Sequence, residues 1–331
     1  MAIAMEKCVS KWSDVEYVPE SHICPIEARP GNDPIPTCNK IPIIDLQSPQ
    51  ALHQIIQASQ EYGIFLVTNH GVSEDVIEET VKVLEELFSL PPEDLTKDAK
   101  ANSWVYVDSN KFVAAGTHLW RDNIKHLCYP LEDSMPHWPQ QPIRYREVMA
   151  KYIMGIERVS LRILEIISEG LGLEKDHLVS MSETKFLSAN NCPPCPNPSI
   201  ALGVPKHLDH NLITILYQGN VEGLQILKDG EWFGVEAPQN TFAVNIGTQL
   251  QIISNGKLKS PEHRVVPNLN QKRISIATFV NPKPESVIEP AKILVNEDSP
   301  AQYSATTFKD FVEKTNAYGP FTNALQTVGK D

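Results

Sequence analysis

"TKFLSANN" (184–191) is the stretch that decides the fold, because the texture of the chain changes there. It is a short β-rich run, and six more follow: "LITILYQ" (212–218), "LQILKD" (224–229), "EWFGV" (231–235), "TFAVNIG" (241–247), "EHRVVP" (262–267) and "RISIATFV" (273–280). Turn residues separate them at short intervals, the pattern of a double-sheet β barrel or jelly roll. Upstream, the periodicity is mostly helical. "IPIIDL" (41–46) and "GIFLVTNH" (63–70) read as strands around a helix at 50–62. Ser73 is placed to cap the next helix, with Glu74 and Asp75 in its first turn and Val76, Val83, Leu84 and Leu87 as its apolar stripe. "SLPPEDL" (89–95) stops it.

The longest helix is predicted from about 143 to 169, a structural spine with Val148, Tyr152, Ile156, Val159, Ile163 and Ile166 on one face and Gly170 and Gly172 at its end. Residues 1–40 carry Pro19, Pro25, Pro30, Pro34 and Pro36 and should drape irregularly over the body. The expected class is therefore α+β with a mainly β core. Its divisions are 1–40, a mainly helical region over 41–180, the core over 184–285, and a C-terminal segment over 286–331 that covers the pocket and holds a short amphipathic helix at 304–313.

Composition narrows the function. The chain has 331 residues, 41% hydrophobic and 21% charged, with no apolar run near the length of a membrane span. A formal charge of -12 and the absence of a Lys/Arg cluster oppose nucleic-acid binding. Six scattered cysteines do not make a disulfide framework, and "MAIAMEKCVSKWSD" has no secretory pattern, so a cytoplasmic protein with reduced thiols is expected. Nothing requires more than a monomer.

The chemistry-bearing stretch is "HLDHNLIT" (207–214). In a strand, residues two apart share a face, so His207 and Asp209 can reach one ion while His210 faces away. A third ligand from a distant strand would complete the site, and His263 in "SPEHRVV" is the remaining histidine of the β region. Two histidines and a carboxylate are the facial set of non-haem Fe(II) oxygenases, although zinc accepts the same donors. Ten residues on, Arg273 and Ser275 share a face of an apolar strand, where a buried guanidinium needs an anion.

With "HLD", "EHR" and "RIS" in this order, preceded by "PPCPNP" and joined by "GLQILKDGEWFGV", the chain resembles the plant 2-oxoglutarate and Fe(II)-dependent dioxygenases. The likeness runs from "IPIIDL" and "YGIFLVTNHGV" through "LWRDNIKHLCYP" to the β core, and is nearest to the hyoscyamine-hydroxylating members and the salicylate and flavone oxidase group. The resemblance implies a distorted jelly roll, a double-stranded β-helix, with the long helix outside it. It implies Fe(II) on His207, Asp209 and His263, and 2-oxoglutarate chelating the iron with its far carboxylate on Arg273 and Ser275. Oxygen as second substrate and ascorbate as reductant follow. So does oxidative decarboxylation to succinate and carbon dioxide, coupled to removal of hydrogen from a substrate carbon. Hydroxylation is the default outcome, with desaturation, ring closure or demethylation available, and Asp209 argues against the halogenating variant of this chemistry.

One departure stands out. The family reads "NYYPPCP" where this chain reads "NNCPPCP", so Asn190 keeps the motif's asparagine and Cys192 replaces a tyrosine that helps hold 2-oxoglutarate. A thiol donates weakly, so cosubstrate binding should be weakened or rearranged. The resulting "CPPC" is stiffened by two prolines, unlike a thioredoxin-type turn. For the substrate, Asp108 falls where the hyoscyamine-hydroxylating members carry a glutamate that pairs with an ammonium, which points to a nitrogenous alkaloid with Asp108 as amine anchor. Trp104, Tyr106, Phe112 and Trp120 are aromatics placed near it, and Thr315 stands where those members have a pocket-closing aromatic. The alternatives are a flavonoid or phenolic oxidase, a catalytically silent ligand-binding homologue, and a zinc-binding cupin-like protein.

Overall fold

A computed structural model of the chain describes residues 8–12, 15–102, 104–107, 113–114, 117–236 and 238–318. Its strands are Ile43–Asp45 (β1), Ile64–Thr68 (β2), Val105–Val107 (β3), Val113–Ala114 (β4), Thr117–His118 (β5), Asp122–Tyr129 (β6), Thr184–Cys192 (β7) and Val204–His207 (β8). They continue with Ile213–Tyr217 (β9), Leu224–Lys228 (β10), Glu231–Gly234 (β11), Phe242–Ile246 (β12), His263–Val265 (β13), Arg273–Asn281 (β14), Val287–Ile288 (β15) and Thr306–Thr307 (β16). Among the described residues the major sheet runs β1-β2-β12-β9-β14-β7-β6-β3, and a minor sheet faces it in the order β11-β10-β13-β8. The seven runs from 184 onward all become strands, as their composition predicts. The large sheet also draws four strands from residues 43–129, so the N-terminal part extends the core sheet as well as covering it.

Period-two alternation divides the major sheet into two faces. Ile64, Leu66, Leu216, Ala243 and Ala277 point between the sheets, where they meet Leu224, Ile226 and Val265 of the minor sheet. Phe65, Val67, Ile213, Ile215, Phe242, Val244, Ile274 and Ile276 point the other way, into a larger core roofed by helices. Burying each such side chain is worth about 1.5–3 kcal/mol relative to leaving it in water, so the helical roof is a main source of stability.

The helices are Ala51–Glu61 (α1), Glu74–Ser89 (α2), Pro92–Asn102 (α3), Leu131–Ser134 (α4), Tyr145–Gly170 (α5), His177–Met181 (α6), Thr248–Ile253 (α7) and Phe308–Tyr318 (α8). Helix α5 is the expected spine: Tyr152, Ile156, Val159, Ile163 and Ile166 are all buried along it. Ser73 occupies the N-cap position of α2 but makes no side-chain capping bond. The last helix starts at Phe308, four residues later than predicted, because Thr306–Thr307 is taken up in the β15–β16 pair. Residues 15–40 form a strap of short 3-10 turns, and the exchange of backbone bonds between Pro36–Cys38 and Gly234 covers the outer edge of β11. No helix among the described residues is long and apolar enough to cross a membrane.

Candidate active site

The two sheets part around a cavity of about 780 Å³. At one point of its wall β8 and β13 pair antiparallel with His207 directly opposite His263, their ring centroids 4.1 Å apart. Asp209 Oδ1 lies 3.6 Å from His207 Nε2 and 3.7 Å from His263 Nε2. Among the described residues this is the one cluster with metal-ligand geometry, its three donor atoms all within 4.8 Å of one another.

Both rings are oriented by the backbone two residues earlier. His207 Nδ1 sits 2.9 Å from Pro205 O and His263 Nδ1 3.0 Å from Pro261 O. A carbonyl only accepts, so each Nδ1 carries the proton and each Nε2 presents its lone pair to the common centre. Burial, then neighbouring His263, pushes His207 well below the usual imidazole range and keeps it a neutral donor. Burial alone would raise the Asp209 carboxyl, but His263, His207, the Thr214 hydroxyl and the Asn245 amide together hold it below its ordinary value. Asn245 Nδ2 donates to Asp209 Oδ2 at 3.2 Å, which leaves Oδ1 to face the histidines. Asp209 and His263 are buried, His207 is partly exposed, and all three donors are pre-oriented, an arrangement that suits a divalent transition metal.

Asp209 reaches its place differently from the strand argument. Strand β8 ends at His207, and Asp209 lies in the loop beyond it, held by the start of α7. Thr248 N donates to Asp209 O at 2.8 Å, and Gln249 Nε2 to His210 O at 2.8 Å. The approach needs glycine at 247, where a Cβ would stand 1.9 Å from Asn211 O. His210 is outside the cluster, though it lines the same cavity with its ring edge-on to Phe311.

A second polar group lies along β14. Arg273 is 2% exposed; its Nε donates to Val221 O at 3.1 Å and its Nη1 to Ser275 Oγ at 3.0 Å. Its Nη2 is buried with no hydrogen-bond partner among the described residues. Burial depresses this guanidinium below its usual range, with Cys192 acting weakly in the opposite direction. A cation kept dry with one donor unused fits a carboxylate arriving from the cavity. Gly223 makes room for it: a Cβ there would come 2.8 Å from Val266 O and 3.2 Å from Arg273 Cδ.

Asn190 sits opposite Ser275 and Cys192 opposite Arg273 in the β7–β14 register. Asn190 Oδ1 accepts from Arg121 Nη1 at 2.6 Å and from Asn123 Nδ2 at 2.9 Å. Cys192 is buried under Gly203 and is not among the side chains lining the cavity. Burial raises its thiol, although Arg273 and Arg121 oppose the shift, so it is an uncharged, reduced filler; Cys195 is likewise a free thiol.

Of the substrate residues, Thr315 lines the cavity, its hydroxyl turned back onto Phe311 O at 2.9 Å. Tyr106 does not reach it. That ring packs in the helix-roofed core with its OH 2.7 Å from Cys8 Sγ, because its neighbours Val105 and Val107 take the opposite face of β3. Trp104 is in the same core and Trp120 packs under the N-terminal strap. Asp108 and Phe112 lie outside the described residues. The aromatic wall that sequence reasoning missed is Phe186 stacked on Phe279 at 4.8 Å. Asn245 was missed too; its signal is a lone amide at an inward position of "TFAVNIG".

A metal alone would leave Arg273 and Ser275 without a purpose, whereas a dicarboxylate beside a two-histidine, one-carboxylate centre is the requirement of one class, the iron oxygenases driven by 2-oxoglutarate. Residues 184–282 match the model of the 2OG-Fe(II) oxygenase superfamily, and residues 41–148 match that of the non-haem dioxygenase in morphine synthesis N-terminal region. The chain is 38% identical to hyoscyamine 6-dioxygenase of Hyoscyamus niger, over 93% of this chain and 94% of that protein. It is also 38% identical to DMR6-LIKE OXYGENASE 2 of Arabidopsis thaliana, over 91% of each. A crystal structure of JOX2 in complex with 2OG, Fe and JA superposes with a TM-score of 0.84 at 30% identity, covering 98% of this chain and 96% of that one. The chain therefore belongs to the 2OG-Fe(II) oxygenase superfamily. It is an Fe(II)- and 2-oxoglutarate-dependent dioxygenase with the double-stranded β-helix fold of its structural neighbours.

Proposed function

We propose that this chain hydroxylates a small, ring-bearing plant specialised metabolite, acting as a monomer. In this reading His207 Nε2, Asp209 Oδ1 and His263 Nε2 hold the iron, and Arg273 with Ser275 takes the far carboxylate of 2-oxoglutarate. Bound together, iron and 2-oxoglutarate supply an oxidant made from oxygen at the expense of the 2-oxo acid. The protein's part is positional. Pro205 O and Pro261 O fix the imidazole tautomers, Asn245 aims the carboxylate, and Arg273 and Ser275 set the cosubstrate's reach. Asn190 adds an amide beside Ser275, and Cys192 contributes shape without a donor comparable to a phenol. The observation that carries the reading is the unused, buried Nη2 of Arg273 in the same cavity as the metal cluster.

The test is incubation of purified protein with ferrous iron, ascorbate, 2-oxoglutarate and a panel of alkaloids, flavonoids and phenolic acids, following succinate. Substrate-dependent succinate supports the reading; a protein that binds panel members yet never makes succinate is a binding homologue instead. A cationic amine substrate is favoured by the hyoscyamine-directed relative and by Asp108. Replacing Asp108 by Asn should then weaken binding of a cationic substrate about ten-fold and leave neutral ones unchanged. Relatives named flavanone 3-dioxygenase 2 and flavonol synthase 1 favour a phenolic substrate instead.

A further inference from the structure

Resting on that reading, we propose that His210 is the substrate-binding residue beside the metal centre, its imidazole holding a hydroxyl group carried by the ring-bearing substrate.

Place comes first. His210 follows Asp209 directly, so its Cα stands ~3.8 Å from that of a metal ligand, and its side chain lines the same cavity as the cluster. The backbone there is anchored: Gln249 Nε2 donates to His210 O at 2.8 Å and Thr248 N to Asp209 O at 2.8 Å. The ring leans edge-on against buried Phe311 of α8, centroids 5.6 Å apart with an interplanar angle of 89°. Backbone and ring are therefore both held without engaging the ring nitrogens.

The three cavity histidines differ in one respect. His207 Nδ1 and His263 Nδ1 each meet a backbone carbonyl, Pro205 O at 2.9 Å and Pro261 O at 3.0 Å, so their protons are fixed and their Nε2 atoms are left for the metal. The His210 ring makes no hydrogen bond among the described residues, and its proton is not fixed to either nitrogen. Other polar side chains on this wall are engaged. Thr315 Oγ1 donates to Phe311 O at 2.9 Å, Thr184 Oγ1 donates to Pro282 O at 3.0 Å, and Thr214 Oγ1 accepts from Asn211 Nδ2 at 2.8 Å. His210 thus offers a ring nitrogen to a third molecule after the metal and the cosubstrate have taken their partners. A hydroxyl both donates and accepts, so it meets the imidazole whichever nitrogen carries the proton, whereas an ether or carbonyl oxygen only accepts and an ammonium only donates.

The aromatic wall supplies the rest. Phe279 pairs with Thr214 across β14 and β9, and Thr214 with Asn245 across β9 and β12. The stacked Phe186 and Phe279 therefore lie in the same row of the sheet as the two side chains that hold Asp209. A flat ring laid against Phe279 brings its substituents to the loop of Asp209 and His210. Hydroxylated alkaloids and phenols both meet this requirement, so an amine at Asp108 and a hydroxyl at His210 are compatible within one molecule.

Two probes that differ in one group test this: 2-naphthol and 2-fluoronaphthalene, titrated into the full-length protein by quenching of probe fluorescence, with Mn(II) and N-oxalylglycine and again without either. Fluorine fills the place of the hydroxyl without its hydrogen bonds, so the readout is the ratio of the two dissociation constants. The ratio should favour 2-naphthol about five-fold more in the wild type than in His210→Phe, which keeps the edge contact with Phe311 and loses both nitrogens. His210→Leu, a second loss variant, should match His210→Phe, and His210→Gln, which keeps a donor and an acceptor, should restore most of the preference. A ratio unchanged in His210→Phe and His210→Leu, an equal loss in His210→Gln, or a wild type that binds neither probe overturns the proposal. So does a fall of about ten-fold or more in the Mn(II) affinity of His210→Phe, which would assign His210 to the metal instead. A wild type that fails to bind N-oxalylglycine overturns the cosubstrate reading, while the arm without metal and analogue still decides on His210.

Discussion

Replacing Arg273 by Met should separate the stability of the protein from its ability to bind 2-oxoglutarate. In the unliganded protein the guanidinium is 2% exposed and makes bonds of 3.1 Å to Val221 O and 3.0 Å to Ser275 Oγ, with Nη2 unmatched. Methionine forfeits those bonds but also removes a dehydrated charge, and because the two effects oppose one another the unliganded stability should move by no more than about 2 kcal/mol. Cosubstrate binding has no such offset. Its carboxylate would meet a thioether in a dry pocket, and losing one partner of a buried charge pair costs about 3–5 kcal/mol. That is a loss of roughly a hundred- to several-thousand-fold in affinity. Thermal unfolding with Mn(II) in place of iron, with and without N-oxalylglycine, reads both quantities. At a hundred times its Kd the analogue should stabilise the wild type by about 2.7 kcal/mol and the variant hardly at all. The reasoning fails if Arg273→Met keeps its affinity within about three-fold, or if the unliganded variant is unfolded.

Three further outcomes follow from the same geometry. Asn245→Leu removes the donor that holds Asp209 Oδ2, so metal affinity measured by competition with a chelator should fall about 10- to 100-fold, and an unchanged affinity would deny Asn245 its orienting part. Gly223→Ala puts a methyl group 3.2 Å from Arg273 Cδ and should raise the KM for 2-oxoglutarate about ten-fold while leaving metal affinity alone; equal losses in both would point to general misfolding. His126 is buried, with Nε2 2.8 Å from Tyr145 OH and Nδ1 2.9 Å from Leu127 O, and burial lowers it to about 4. The unfolded chain, titrating near 6.5, then binds the extra proton, so stability present at pH 7 is lost as pH falls through about 4, by up to about 3 kcal/mol. Urea unfolding at pH 7 and pH 4 should show a shallower loss for His126→Gln, and identical slopes would refute this.

Local pattern and spacing were enough for the β core, the helical stripe of α5, the convergence of His207 with His263, and the pairing of Arg273 with Ser275. All but the histidine pair depend on periodicity within one element, where a period of two or 3.6 residues determines which face a side chain takes; His263 belongs to a separate strand and was reached as the remaining histidine of the β region. Even Asn190 was placed by its motif. What the linear order could not decide was everything set by neighbours distant along the chain. Asp209 leaves the strand of His207 because α7 anchors its backbone; Gly247 and Asn245, more than thirty residues later, determine where its carboxylate points. Tyr106 turns toward Cys8 and away from the cavity because the face of a short strand is chosen by what packs over it. The pairing of β6 with β7 sets Lys125 opposite Ser188, one row from the stacked Phe186 and Phe279 on the cavity wall, a neighbourhood that no local pattern announces. The sequence alone determined the fold class and the chemistry the donors can perform, since those follow from local alternation and residue type. Only the tertiary structure decided which side chains share the cavity, because register and packing between separate segments bring them to one face.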